Sequence, residues 1–194
     1  MNKKQETILD KPLGGLSLMI FLTAIWTILG GFNIKGKDYY ILTTLFTLLI
    51  LFFVYSYVKI NKQTKIFPKS QINEDPKKER LYWAIIIAEG IAILLVNIIL
   101  TIIHKDELFI SSFVLIVGLH FFPLAKVFDR KFDYYIGTWT TLFAIGGIIL
   151  TTKNAIGQST INSFVCFACA ISTASYGLKM ISDAKRLYEQ NKDN

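Results

Sequence analysis

Six long apolar runs alternate with short polar segments along this chain. They cover approximately residues 12–32, 39–60, 82–104, 108–128, 134–152 and 157–180. Each run is long enough for a helix that crosses a bilayer, which takes about 20 residues. A membrane-spanning β-strand would alternate apolar and polar residues over about ten positions, and these runs do not alternate. Because a backbone in lipid must satisfy its own hydrogen bonds, the pattern predicts an all-α, polytopic membrane protein with six transmembrane helices.

The composition narrows the class of protein. Hydrophobic residues make up 53% of the 194 positions and charged residues 18%, whereas soluble domains have about 45–50% and about 25%. The residues outside the six runs are too few for a separate soluble domain, which takes at least about 50 residues. We therefore expect a single six-helix transmembrane domain over 1–194. The composition excludes a globular enzyme on a membrane anchor and a nucleic-acid-binding protein, despite the net charge of +7.

The positive charges predict the orientation in the membrane. Of the 21 Lys and Arg residues, 17 lie in the N-terminal segment, the second and fourth loops and the C-terminal segment, and four lie in the other three loops. Basic residues accumulate on the cytoplasmic side, so both termini, the basic loop 61–81 and the tail 182–194 are predicted to be cytoplasmic. The bias towards Lys, Ile and Asn, with only three Arg, is typical of an AT-rich bacterial genome. The expected location is the bacterial cytoplasmic membrane, with the lipid bilayer as the main partner.

Loop lengths and an internal similarity suggest how the helices are arranged. The first, third and fifth loops are short, which favours three antiparallel helical hairpins. Asp38-Tyr39-Tyr40-Ile41 at the start of the second span resembles Asp133-Tyr134-Tyr135-Ile136 at the start of the fifth. These two spans would run in opposite directions, so the similarity suggests a 3+3 inverted repeat, as in many transporters. Tyrosine-rich helix ends at a membrane interface are the alternative explanation. A homo-oligomer or another membrane protein as partner stays open.

The fourth span contains the run Gly118-Leu119-His120-Phe121-Phe122-Pro123-Leu124-Ala125. This run resembles one in small uncharacterised bacterial multi-pass membrane proteins with a GLHFxPLA-like fourth helix. The resemblance covers one helix and a similar helix count. It implies no activity.

Glu89 is the most costly residue to place in the membrane. It lies seven residues after Tyr82, about 10 Å inside the cytoplasmic boundary. A carboxylate at that depth needs a cavity, a partner or a proton. With 100° per residue, Glu89, Asn97, Thr101 and His104 fall on one stripe about 120° wide. The sequence therefore predicts that this stripe, including Asn97, faces other helices or water.

His120 is the expected partner of Glu89. It lies seven or eight residues from the cytoplasmic end of the fourth helix, so its depth matches that of Glu89 to within about one helical turn. The two helices are neighbours in the predicted third–fourth hairpin. In an apolar setting each group alone prefers its neutral form, but together they can share a proton or form an ion pair. A buried histidine that only packs is the alternative.

The sixth helix carries a polar face of small and hydroxyl-bearing residues. Its members follow a helical spacing: Asn162, Cys166, Cys169, Thr173 and Tyr176. Such residues allow membrane helices to approach closely and to form hydrogen bonds, so packing alone would explain them. Thr173 also lies near the depth of Glu89 and His120. The predicted substrate-binding residues are accordingly Glu89, His120, Asn97, Thr173 and Tyr176.

No cofactor, metal site or catalytic residue is expected from the sequence. Cys166-x-x-Cys169 is a single pair, and zinc takes four ligands. His104 and His120 lie about 18 Å apart along the membrane normal, too far for one haem iron. No phosphate-binding loop, nucleophile elbow or metalloprotease motif is present in the sequence.

Three functions remain at this point. The first is a transporter-like bundle for a small solute or ion, linked to protons through Glu89. The second is a non-catalytic accessory, assembly or resistance-type membrane protein whose polar residues only hold the helices together. An intramembrane enzyme is third, because one Glu and one His without a nucleophile make a thin active site. A cavity that reaches Glu89 would favour the first, and a fully packed core the second.

Overall fold

The fold was analysed in a computed structural model, which describes residues 5–6, 9–33, 37–64, 70–71 and 76–190. Six α-helices make up almost all of this part of the chain: α1 (Asp10–Asn33), α2 (Lys37–Thr64), α3 (Pro76–Ile102), α4 (Phe109–Phe128), α5 (Lys131–Thr152) and α6 (Gln158–Gln190). All six are long and apolar enough to cross a membrane. The predictions of an all-α fold and of a multi-pass membrane protein are confirmed.

The helix ends differ from the predicted spans mainly on the side of the basic loops. α2 continues to Thr64, and α3 begins at Pro76, so much of the predicted loop 61–81 is helical. Proline is well suited to the first turn of a helix because it has no N–H to satisfy. α6 continues to Gln190, which makes most of the predicted tail helical. Residues 65–69, 72–75 and 191–194 lie outside the described residues.

The remaining elements are short. A 3₁₀ turn, Asp106–Leu108, joins α3 to α4. Two two-residue strands, β1 (Gln5–Glu6) and β2 (Ser70–Gln71), pair in antiparallel register. This pairing places the segment before α1 beside the loop between α2 and α3. The paired strands lie at one end of the bundle. This end holds the starts of α1, α3 and α5 and the ends of α2, α4 and α6, and it is called the basic end.

The most extensive helix packing occurs between α1 and α6 and between α4 and α5. α1–α2, α3–α4 and α5–α6 also pack, but less extensively. α6 is the central helix, because 67% of its apolar stretch is buried, against 6% for α3. α3 packs chiefly against α4. The inverted repeat stays a prediction.

Small residues permit the close approach of α4 and α5. A Cβ on Gly118 would lie 2.6 Å from Oγ1 and 2.8 Å from the backbone nitrogen of Thr141. A Cβ on Gly137 would lie 3.1 Å from the carbonyl oxygen of Gly118. The buried residues of α5 follow one helical stripe: Asp133, Ile136, Gly137, Thr140, Ala144, Gly147 and Thr151. Packing of small residues is the usual source of helix association in lipid, where apolar burial gives no driving force.

Hydrogen bonds between side chains and neighbouring helices add to the packing around α6. Thr23 donates to Thr173 at 2.8 Å, which joins α1 to α6. Ser163 donates to the carbonyl oxygen of Gly30 at 3.0 Å, near the end of α1 and the start of α6. On the other side, Nε1 of Trp139 donates to the carbonyl oxygen of Ala168 at 3.1 Å. These contacts fix α6 between α1 and α5.

Candidate functional site

A cavity of about 630 Å³ lies between α1, α3, α4, α5 and α6. On α1 its lining runs from Pro12 to Trp26, which corresponds to about 20 Å along the helix axis. Trp26 and Phe113 line its far end with ring centroids 5.6 Å apart. Both belong to, or pack against, a core cluster of aromatic and aliphatic residues. The cavity is thus closed at that end by packed side chains.

The other end of the cavity is polar and accessible. Arg130 and Arg186 line it and have side-chain exposures of 40% and 68%. Asp183 lies beside them and accepts from Nζ of Lys179 at 2.7 Å. The cavity therefore opens at the basic end. Leu18 also lines the cavity while about half exposed, so α1 leaves a second, lateral opening part-way along.

Glu89 and His120 meet in the wall of this cavity. Nδ1 of His120 lies 3.0 Å from Oε1 of Glu89, and both side chains are largely buried, at 14% and 15% exposure. The N–H of the ring is not aligned with that oxygen, so the contact lacks good hydrogen-bond geometry. The imidazole also stacks on Phe121, with centroids 4.4 Å apart. The sequence predicted this neighbourhood from matching depths, and the structure places the two side chains together.

Thr173 and Tyr176 also line the cavity. Both are buried on α6, on the face that the helical spacing identified. Ser172 and Thr140 complete a polar band, with their hydroxyl oxygens 3.1 Å apart. Four of the five predicted substrate-binding residues therefore share one cavity.

Asn97 does not belong to this site. Its side chain is exposed and does not line the cavity, and Thr101 and His104 are exposed as well. The structure does not bring Asn97 to this site, and the prediction that the whole polar stripe of α3 faces other helices or water stays a prediction. With Glu89 at zero, the partly buried residues of α3 lie within about 60° on either side, and Asn97 lies near 80°. One neighbouring helix covers only that narrower sector.

Tyr55 on α2 contributes no hydroxyl group to this cavity. It is 66% exposed, and α2 contributes no residue to the cavity lining among the residues described. The cavity lining on α6 is instead completed by residues of α1, α3, α4 and α5.

A buried charge cluster next to the cavity was missed by the sequence reasoning. The side chain of Asp133 is fully buried, at 0% exposure, and its Oδ2 lies 2.9 Å from Nε of Arg130. The hydroxyl of Tyr176 donates to Oδ1 at 2.5 Å. The guanidinium of Arg130 also lies over the ring of Phe128, 4.7 Å from its centroid. The spacing Arg130-x-x-Asp133 was the available signal, but Asp133 resembled an ordinary interfacial helix end.

The turn between α4 and α5 positions this cluster. Asp129 ends α4 in the left-handed conformation, with φ of 51°, which Asp tolerates better than most residues. Arg130 is then the residue immediately before α5, and Asp133 lies in its first turn. A carboxylate is favoured there by the partial positive charge of the helix N-terminus. The short turn thus brings Arg130 within reach of a carboxylate three residues later.

The described residues hold no group of three or more His, Cys, Asp and Glu side chains suited to a metal ion. Cys166 and Cys169 are both buried free thiols. The expectation that the chain binds no metal or cofactor stays a prediction.

Comparisons with family models, curated proteins and solved structures gave no match to this chain. The resemblance of the run 118–125 to small bacterial multi-pass proteins therefore stays a prediction.

Proposed function

We propose that this protein is a carrier for a small solute or ion and that Glu89 and His120 couple its movement to protons. The observation that carries this proposal is the cavity of about 630 Å³ with the Glu89–His120 pair in its wall. Ligand pockets have volumes of about 300–1,000 Å³ and combine an apolar lining with a few convergent polar groups. An accessory protein that only packs its helices has no need of such a space.

The placement of the ionisable groups supports the same function. Intramembrane carboxylates and histidines are costly and usually mark ion or proton pathways. Glu89 and His120 line the cavity. A proton held between them can leave when a cation or another solute takes its place. The pair is therefore a suitable coupling element.

The shape of the cavity corresponds to one of the two states that a carrier alternates between. It opens at the basic end, where Arg130 and Arg186 are exposed, and Trp26 and Phe113 close it at the other. In the orientation predicted from the positive charges, the basic end is cytoplasmic. We propose that the protein lies in the bacterial cytoplasmic membrane with this cavity open to the cytoplasm. Transport then requires separation of Trp26 from Phe113.

The proposal is tested by flux into proteoliposomes that contain a pH-sensitive dye. A panel of small cations, anions and neutral solutes is added outside, and the internal pH is followed. We expect at least one solute to change the internal pH, and Glu89→Gln to reduce that rate at least tenfold. Glu107→Gln is the matched control, because Glu107 is exposed at the opposite end and does not line the cavity. No response to any solute, or an unchanged rate in Glu89→Gln, would refute the carrier.

A further inference from the structure

The charged and the apolar residues of the cavity are separated along its length. Tyr82, Arg130, Asp183 and Arg186 lie towards the basic end, and Glu89 and His120 follow about 10 Å further in, by the helical rise from Tyr82. Beyond them the lining is mainly apolar and aromatic, from Leu22, Trp26, Ile93, Phe113 and Val117, with the hydroxyl band of Thr140, Ser172 and Thr173 on its α5–α6 side. A molecule that fills this space has a polar head beside Glu89 and an apolar body towards Trp26.

The lateral opening fits a molecule of this kind. Leu18 is both part of the lining and 49% exposed. In a bilayer that opening would face acyl chains. An amphiphile that partitions into the membrane could therefore enter the cavity from the bilayer.

The charges in the lining determine which head group is favoured. Arg130 has the buried carboxylate of Asp133 2.9 Å away, and Arg186 has Asp183 3.5 Å away. Both arginines thus already have carboxylate partners. The partner of Glu89 is His120, which is charged only when protonated. Within the part of the chain that the structure describes, Glu89 is therefore the lining carboxylate best able to accept a cation from outside.

Aromatic rings near Glu89 strengthen this preference. Phe121 stacks on His120, and Tyr176 lies 6.4 Å from Phe121 between ring centroids. All three residues line the cavity. Aromatic faces attract organic cations, with larger effects where water is excluded. A quaternary ammonium group beside Glu89 would therefore be stabilised by its carboxylate and by neighbouring rings.

We infer that the cavity binds an amphiphilic organic monocation, whose charged head replaces the proton held by the Glu89–His120 pair and whose apolar body extends towards Trp26 and Phe113. This inference rests on the proposed carrier function and gives its substrate class. When the cation binds, one proton leaves the pair and passes to water, Glu89 stays a carboxylate paired with the cation, and His120 becomes neutral. The charge inside the cavity is unchanged by the exchange.

Because the exchange releases a proton, the affinity for the cation should depend on pH. Other titratable groups also line the cavity around the pair. α1 contributes no titratable side chain to the described lining, and the remaining elements contribute Tyr82 from α3, Arg130 from the α4–α5 turn, and Cys169, Tyr176, Asp183 and Arg186 from α6. The two arginines are paired with the carboxylates of Asp133 and Asp183. The affinity for the cation should therefore rise about tenfold per pH unit wherever the Glu89–His120 pair holds its proton, because one proton is released per cation bound.

The test is calorimetric titration of the purified full chain in detergent with octyltrimethylammonium, which has a fixed positive charge. Octanesulfonate, with the same chain and a negative head, and tetramethylammonium, with the same head and no chain, are the matched ligands. We expect both to bind at least tenfold more weakly than octyltrimethylammonium. Titration in two buffers of different ionisation enthalpy should give about one proton released per cation.

Two variants make the test specific. Glu89→Gln should weaken octyltrimethylammonium binding at least tenfold and abolish proton release, whereas Glu107→Gln should leave both unchanged. If Glu89→Gln fails to fold, the test uses Glu89→Asp together with the number of protons that the unmodified protein releases per cation bound. Equal binding of the cation and the sulfonate, or cation binding without proton release, would overturn the inference. Absence of cation binding together with Glu89-dependent flux of another solute would overturn this substrate class and leave the carrier in place.

Discussion

The hydroxyl of Tyr176 on α6 donates a hydrogen bond to Oδ1 of Asp133, a carboxylate that is fully buried in the first turn of α5. Arg130 approaches the other carboxylate oxygen, so both oxygens have a polar neighbour. This arrangement allows a charged group to remain inside the bundle. It also connects the cavity wall, through Tyr176, to the turn between α4 and α5.

Loss of that hydrogen bond should destabilise the protein. Tyr176→Phe leaves Oδ1 of Asp133 buried without its donor, which costs about 1–3 kcal/mol and more when the acceptor is charged. The measurement is thermal unfolding in detergent. Tyr134 follows Asp133 in the sequence and is exposed. Tyr134→Phe removes the same phenolic oxygen without that penalty, so this variant should unfold like the unmodified protein. Equal stability of the two variants would show that the hydrogen bond contributes nothing.

Arg130 should matter more than a surface ion pair. Arg130→Met removes the cation beside a fully buried carboxylate, and breaking a buried pair in this way costs about 3–5 kcal/mol. The half-exposed position of Arg130 reduces that figure, because water can replace part of the interaction. Combining the change with Asp133→Asn should recover part of the loss. A double variant that is less stable than Arg130→Met alone would contradict this account.

Glu89 and His120 should behave as a coupled pair. Glu89→Gln and His120→Ala each remove the same contact, so the effects on unfolding free energy should be non-additive by about 0.5–3 kcal/mol. A double-mutant cycle on thermal stability, run beside the flux assay, measures this coupling. Loss of flux with intact stability would support the carrier. Strictly additive effects would end the pair hypothesis, and loss of stability alone would favour an accessory protein.

Close packing of α4 on α5 should make Gly118 intolerant of a larger side chain. In Gly118→Ala the new methyl group would meet the backbone of Thr141, so the helices must separate, at a cost of about 1–3 kcal/mol. Gly146→Ala on α5 is the matched control, because a Cβ there meets nothing within 4 Å. It should be neutral or slightly stabilising. Similar melting temperatures for both variants would show that α4 and α5 are not this close.

The buried face of α6 should be distinguishable from its lipid face. Thr173→Leu removes the hydrogen bond with Thr23 and overfills a buried contact, so we expect loss of about 1–3 kcal/mol or of correct folding. Ile171→Leu, two residues away and 45% exposed, should be tolerated. The readout is the yield of monodisperse protein and its unfolding temperature. Equal tolerance at both positions would show that the interface is misplaced.

Much of the fold is determined by the sequence alone, because the features concerned are local. The length of each apolar run specifies a membrane-spanning helix, since the backbone can satisfy its hydrogen bonds in lipid only within the segment. The contact between Glu89 and His120 followed from the fixed rise per residue and from a short loop between two helices. The buried face of α6 followed in the same way, because Thr173 and Tyr176 recur at helical spacing.

Only the tertiary structure decided which side of each helix is covered and where space remains. Lipid and the protein interior are equally apolar, so a helix that is hydrophobic on all sides does not specify its buried side. Asn97 lies just outside the sector of α3 that α4 covers, and nothing in its spacing from Glu89 reveals this. Asp133 had the pattern of an interfacial helix end, yet the approach of α6 buries it. The cavity itself exists because five helices leave space between them towards the basic end while Trp26 and Phe113 meet at the other end, a property of helix placement that no single segment contains.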